Sequence, residues 1–300
     1  MINLLFIKIT LLKLPAINSH LESLTVSLIS VMLIAATVCF IVSELTRNYS
    51  QVDKLWSIMP IVYCIMALLA FPSPRLGIMT ILVTIWGFRL SYNFGRKGGY
   101  SIIPWKGAED YRWKIMREHP CLKGRLRFGM FNLFFISFYQ HFLILLFCTP
   151  LLMAADNKNK DLWFLDTIAA SLMLIFIVIE TIADNQQFRF QTLKQQKINH
   201  DSFYTNSLKT GFICDGLWSH VRHPNFISEQ MIWISFYLFG VAATGRWLNW
   251  TIMGSVLLVL LFQGSTHLTE TISNKKYPDY SVYKNRIPKF FPGIFRSRKR

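Results

Sequence analysis

The sequence predicts an all-α membrane protein, a bundle of about seven transmembrane helices with its N-terminus outside and its C-terminus cytoplasmic. Three observations predict it. Of the 300 residues, 52% are hydrophobic and only 16% are charged, whereas soluble domains carry about a quarter charged residues. The apolar residues fall in blocks close to the roughly 20 residues that cross a bilayer. The basic residues collect between those blocks, on one side.

The opening segment, "MINLLFIKITLLKLP", is apolar but interrupted by Lys8 and Lys13, so residues 1–23 read as an interfacial or leader segment. Seven spans follow, at about 24–42, 55–71, 76–93, 131–154, 164–183, 226–244 and 249–268. They make one membrane domain over 24–292, followed by a basic tail over 293–300. With the N-terminus outside, about 25 of the 32 Lys and Arg lie on the cytoplasmic side and about 6 on the other. That asymmetry sets the orientation. It also accounts for the formal net charge of +16 without a nucleic-acid partner. The chain reads as integral and multi-pass, in the endoplasmic reticulum of a eukaryote or the inner membrane of a bacterium. Cys39, Cys64, Cys121, Cys148 and Cys214 form no CxxC pair, so neither a metal site nor a disulfide framework is expected.

Polar residues recur inside the later spans. Glu180, Asp184, Gln187 and Gln191 are spaced 4, 3 and 4 and share one helical face. Asn225 and Glu229 lie four apart at the start of the sixth span. Gln263, His267 and Glu270 share a face near the end of the seventh. Singly, each reads as a side chain reaching interfacial water. Three stripes at one cytoplasmic end read instead as a shared polar pocket within 180–280, because ionisable groups at membrane depth face a cavity or a partner. Pro224 suits a first helical position and His223 the cap before it. A helix start flanked by Arg222, His223, His220 and Arg189 suits a phosphate. Carboxylates deeper in suit hydroxyls or a carboxamide. The sum describes a nucleotide cofactor entering from the cytosol.

The stretch "GLWSHVRHPNFISEQMIWISFYLFG" resembles the C-terminal region of the steroid 5α-reductase-like membrane oxidoreductases, most closely the branch described as domain of unknown function 1295. "QVDKLWSIMP", "WGFRLSYNFGRKGGY", "AEDYRWKIMRE", "FNLFFISFYQ", "ETIADNQQFRFQ" and "LLFQGSTHLTETISNKKYPDYSVYKNRIPKFFP" extend the resemblance over nearly all of the chain after about residue 45. It implies a seven-helix fold that binds NADPH between the last three helices. It places Asp184 on an acid directed at the nicotinamide nucleotide, and Asn225 and Glu229 on an N-F-x-x-E element. Glu180, Gln191 and Glu270 fall on contact positions but differ in residue type. The second span carries no carboxylate where the reductases have a catalytic Glu. Asp53 just before it and Tyr92 near the end of the third span are the catalytic candidates left at those places.

The favoured function is NADPH-dependent reduction of a C=C bond in a lipid or steroid-like substrate arriving from the bilayer. The cofactor supplies hydride, and the protein supplies position and a proton donor. Tyr92, Tyr139 and His141 are candidate donors within spans, the last two read chiefly as packing groups. One alternative is S-adenosylmethionine-dependent methylation of a lipid or prenyl-cysteine. Another is a non-enzymatic transporter or scaffold.

Overall fold

The computed structural model describes residues 19–103, 105–198 and 200–292. Residues 1–18 of the expected leader and the basic tail lie outside the described residues. Every regular element among the described residues is helical. Six stretches are long and apolar enough to cross a membrane: Ser19–Thr46, Gln51–Ala70, Arg125–Asp156, Phe164–Gln195, Pro224–Thr244 and Ile252–Lys276. They fit an integral, multi-pass membrane protein.

The first is one helix, α1 (Ser19–Thr46). It turns Leu24, Leu28, Met32 and Ala36 inward and Val26, Ile34 and Val38 outward. The second is a short α2 (Gln51–Trp56) and then α3 (Met59–Ala70), which carries Pro60 in its first turn, where a missing N–H costs nothing. The third expected span is α4 (Pro74–Arg96), helical throughout. Arg75, Arg89 and Asn93 on its length keep it outside the six. Ser73 caps α4 by accepting from Leu76 N–H at 3.3 Å. Gly87 lets α4 lie on α3, because a Cβ there would meet Ile61 Cδ1 of α3, and Ser57 O in the turn before it, at 2.6 Å.

A loop carrying α5 (Tyr111–Glu118) follows, with Asp110 capping the helix. It is docked on the start of α2. Gln51 donates to Trp105 O at 2.9 Å, and Lys54 to Lys106 O at 2.7 Å. Trp113 donates to Asp53 Oδ2 at 2.9 Å, and Asp110 N–H to Ser50 Oγ at 2.8 Å. The fourth span is composite: α6 (Arg125–Phe131), a π-helical stretch (Asn132–Tyr139), α7 (Gln140–Cys148) and α8 (Pro150–Asp156). Then come α9 (Phe164–Gln195), α10 (Thr205–Thr210), a single 3₁₀ turn (Gly216–Ser219), α11 (Pro224–Thr244), α12 (Ile252–Lys276) and α13 (Tyr280–Arg286).

α9 and α11 form the most extensive helix pair. α12 packs on α7 through Gly254, where a Cβ would overlap Leu146 O and Phe147 Cα. α4 lies beside α9 in constant register. Arg75 meets Asp166, Arg89 meets Glu180 and Asn93 meets Asp184, each pair 91 positions apart. The two helices are therefore parallel over the stretch from Arg75 to Asn93, about 27 Å at 1.5 Å per residue.

Candidate functional site

The register of α4 on α9 brings one arginine against three acids. Arg89 Nη1 donates to Asp184 Oδ2 at 2.8 Å, and its Nη2 lies 2.9 Å from Glu180 Oε1 and 3.9 Å from Glu229 Oε2. All four side chains are at least nine-tenths buried. Asp184 also accepts from Asn93 Nδ2 at 2.8 Å and from Asn225 Nδ2 at 3.3 Å. Glu229 accepts from two indoles, Trp86 at 2.8 Å and Trp233 at 3.0 Å. Those rings meet edge to face with centroids 4.9 Å apart and are fully buried. An acid on an aromatic floor thus closes the inner end of the site, each indole N–H finding the partner a buried Trp needs. At the outer edge Arg96 donates to Asn93 Oδ1 at 2.8 Å and to Asn185 Oδ1 at 2.6 Å.

The cluster is not self-contained. Arg89 Nε and Nη2, Glu180 Oε2 and Gln187 Oε1 are buried with no hydrogen-bond partner among the described residues. Arg89 Nη2 and Glu180 Oε1 meet as an ion pair at 2.9 Å, so the atoms left without any close polar partner among the described residues are Arg89 Nε, Glu180 Oε2 and Gln187 Oε1. Buried polar atoms are normally satisfied, so orphans gathered on two adjacent helices are groups that ordered water or a ligand can satisfy.

Of the residues expected from the sequence, Glu180, Asp184, Asn225 and Glu229 converge here. Arg222, His223 and Glu270 form a second cluster. His223 occupies the N-cap position of α11 with Pro224 at the helix start, as expected, and its side chain makes no capping hydrogen bond. The two basic side chains, however, do not stand free at the helix start. Arg222 donates to Glu270 Oε1 at 2.8 Å, to Lys284 O at 2.8 Å and to Ile287 O. His223 Nε2 lies 3.0 Å from Glu270 Oε1, and Lys284 Nζ lies 3.1 Å from Glu270 Oε2. Backbone N–H groups of Arg222 and His223 donate to Pro288 O and Lys289 O at 2.9 and 3.3 Å. These residues bind the C-terminal strap, so the anion grip read from the sequence is not assembled at this point. Burial, opposed by the Glu270 carboxylate, holds His223 below the ordinary histidine value.

Other expectations are relocated. His267 does not join Glu270: the buried face of α12 carries Thr266 and Glu270, while His267 is exposed beside His119 and Thr271. Three residues turn a helix by 300°, which leaves His267 about 60° round from Glu270. Arg189 points to Asp201 at 3.1 Å and is exposed. Gln191 is half-buried further along α9. Tyr92 is 69% exposed, its ring under the Arg96 guanidinium. Asp53 belongs to the docking of the 97–124 loop, through Trp113. Neither catalytic candidate is among the groups around Arg89. Tyr139 stacks on Phe135. His141 is fully buried with Nδ1 2.7 Å from Ser137 O and Nε2 unpartnered. His220 is exposed and turns Nδ1 toward Gly216 O.

Sequence reasoning missed Arg89 as the centre, with Trp86, Asn93 and Trp233. The signal was present: Trp86, Arg89, Asn93 and Arg96 are spaced 3, 4 and 3, a fourth polar stripe like the one on α9.

Comparison with known proteins agrees with the resemblance at the level of the family. The family described as Protein of unknown function (DUF1295) matches residues 39–287. An uncharacterized protein of Schizosaccharomyces pombe is 40% identical over 270 residues, covering 84% of this chain and 75% of its own. No solved structure matches the chain. With the family model matching most of the chain, and a relative at this identity and coverage, the protein belongs to the DUF1295 family.

Proposed function

We propose that the protein is a membrane oxidoreductase that uses NADPH to reduce a C=C bond in a lipid, with the nicotinamide end of the cofactor bound at Arg89. One observation carries this reading. Arg89, Glu180, Asp184, Asn225 and Glu229, from three helices, meet in one buried cluster that leaves donors and acceptors unpaired. The residues fit the group: the unpartnered guanidinium Nε–H suits a carbonyl or phosphate oxygen, and carboxylates suit ribose hydroxyls. When bound, the cofactor supplies the hydride. The chain's own part is to orient the ligand through Asp184 and Asn225, to exclude water with Trp86 and Trp233, and to fix charge near the reacting atoms through Arg89.

The same reading takes α4 as a seventh crossing, with the N-terminus outside. Its parallel course beside α9 over about 27 Å matches a hydrocarbon core of about 30 Å. Its outward face is apolar, with Ile81, Ile85 and Phe88 exposed. Arg89 then points into the bundle and away from lipid.

One feature favours a second reading. Three acids against one arginine leave excess negative charge, which also suits the sulfonium of S-adenosylmethionine in a methyl transfer. Thermal unfolding of the purified protein with each ligand separates the two. NADPH raises the midpoint if the first reading holds, and S-adenosylmethionine raises it if the second does. Glu229→Ala abolishes the NADPH effect; an unchanged effect in that variant removes the site assignment.

A further inference from the structure

The three acids around Arg89 are not equivalent. Asp184 receives three donors, from Arg89, Asn93 and Asn225. Glu229 receives one indole N–H on each oxygen. Glu180 has only the guanidinium, on Oε1, and its Oε2 is buried with no partner. The charged or titratable groups facing it are Arg89 from α4, Glu229 from α11 and Asp184 on its own helix.

Three carboxylates around one cation disfavour full ionisation, because each added anion repels the others and every one of these side chains is at least nine-tenths buried. The acid that keeps its proton is the one with the fewest donors. A neutral carboxylic acid also resolves both ends of the side chain. Its carbonyl oxygen is Oε1, which faces Arg89 Nη2 at 2.9 Å. Its O–H sits at Oε2, where no acceptor is present among the described residues.

We propose that Glu180 is held as a neutral acid and that its Oε2–H is a hydrogen-bond donor aimed at a carbonyl oxygen of the bound ligand. In the reading above that oxygen belongs to the carboxamide of the nicotinamide, and that last identification rests on that reading. No bond is made or broken; Glu180 fixes the plane of the group it holds.

Two measurements on the full chain in lipid nanodiscs test this. Infrared difference spectra of wild type minus Glu180→Gln at neutral pH show the C=O stretch of a protonated carboxyl. In NADPH titrations Glu180→Ala weakens binding about tenfold, the value of one buried hydrogen bond, and Glu180→Gln recovers most of that loss because its amide N–H donates in place of the acid. Both variants are compared at matched thermal midpoint and elution profile. A missing carboxyl band overturns the proposal, as does a Gln variant as weak as Ala. If NADPH does not bind the wild type, the cofactor reading fails, while the infrared band still decides whether Glu180 holds a proton.

Discussion

Two arginines on α4 sit fourteen positions apart and meet two acids on α9 that are also fourteen apart, yet their surroundings are opposite. At one end Arg75 donates through Nε and Nη2 to both oxygens of Asp166, at 2.8 and 2.9 Å, and through Nη1 and Nη2 to Lys160 O and Asp161 O. Trp163 N–H adds a donor to Asp166 at 3.0 Å. The pair is one to one, fully buried and satisfied. At the other end Arg89 faces three acids, and its Nε and Glu180 Oε2 are left without a partner among the described residues. The lesson is that burial of charge does not by itself mark function. A closed pair fixes the register of two helices, and an unbalanced one leaves its unmet valences for something else.

That contrast can be broken by mutation, and the largest effect belongs to the closed pair. Arg75→Ala strands Asp166 without its counter-ion and lowers stability by about 3–5 kcal/mol, read as loss of the folded monomer on heating in detergent. The double change Arg75→Met with Asp166→Leu restores most of it, since an apolar pair of similar volume replaces a buried ion pair at little cost. The open end behaves differently. On the proposed reading, Arg89→Met removes charged hydrogen bonds to the cofactor, and the expected outcome is NADPH binding weaker by about 1.5–3 kcal/mol, measured by titration. Pairing it with Glu180→Leu does not restore binding. Recovery of affinity in that double variant shows that the two ends are the same kind of contact.

Smaller changes sharpen the comparison. Trp86→Phe deletes one of two donors to Glu229 while keeping the ring, and lowers stability by about 1 kcal/mol, seen in the thermal midpoint. The strap over the helix start gives the mildest signal. His223 has its folded value held below the ordinary histidine value of about 6.5. The unfolded chain therefore binds the extra proton first as pH falls through that range. Stability is intact above it and declines below it. The midpoint of the wild type drops between about pH 7 and 5, and His223→Gln flattens that drop.

Much of this was legible in the sequence where helical spacing carries it. Glu180 with Asp184, and Asn225 with Glu229, are four apart, so local periodicity alone put each pair on one face. Periodicity does not say which helices touch. Arg75 reads as a loop charge beside Pro74, and nothing local links it to Asp166, 91 residues away. Arg222 reads as a free cation at a helix start because its partners, Glu270 and the carbonyls of Lys284 and Ile287, lie 48 to 65 residues on. Asp53 looks like a displaced catalytic acid until Trp113 is seen to hold it. Arg89 was visible as a lone charge inside a span, but its role appears only when α4 is laid against α9.

The most direct test of the Arg89 site is an NADPH titration of three proteins side by side: wild type, Arg89→Met, and the Arg75→Met, Asp166→Leu pair. Saturable one-to-one binding is expected in the wild type and in the pair variant, with at least about a tenfold loss in Arg89→Met. Absence of binding in the wild type, or equal affinity in Arg89→Met, contradicts the site assignment.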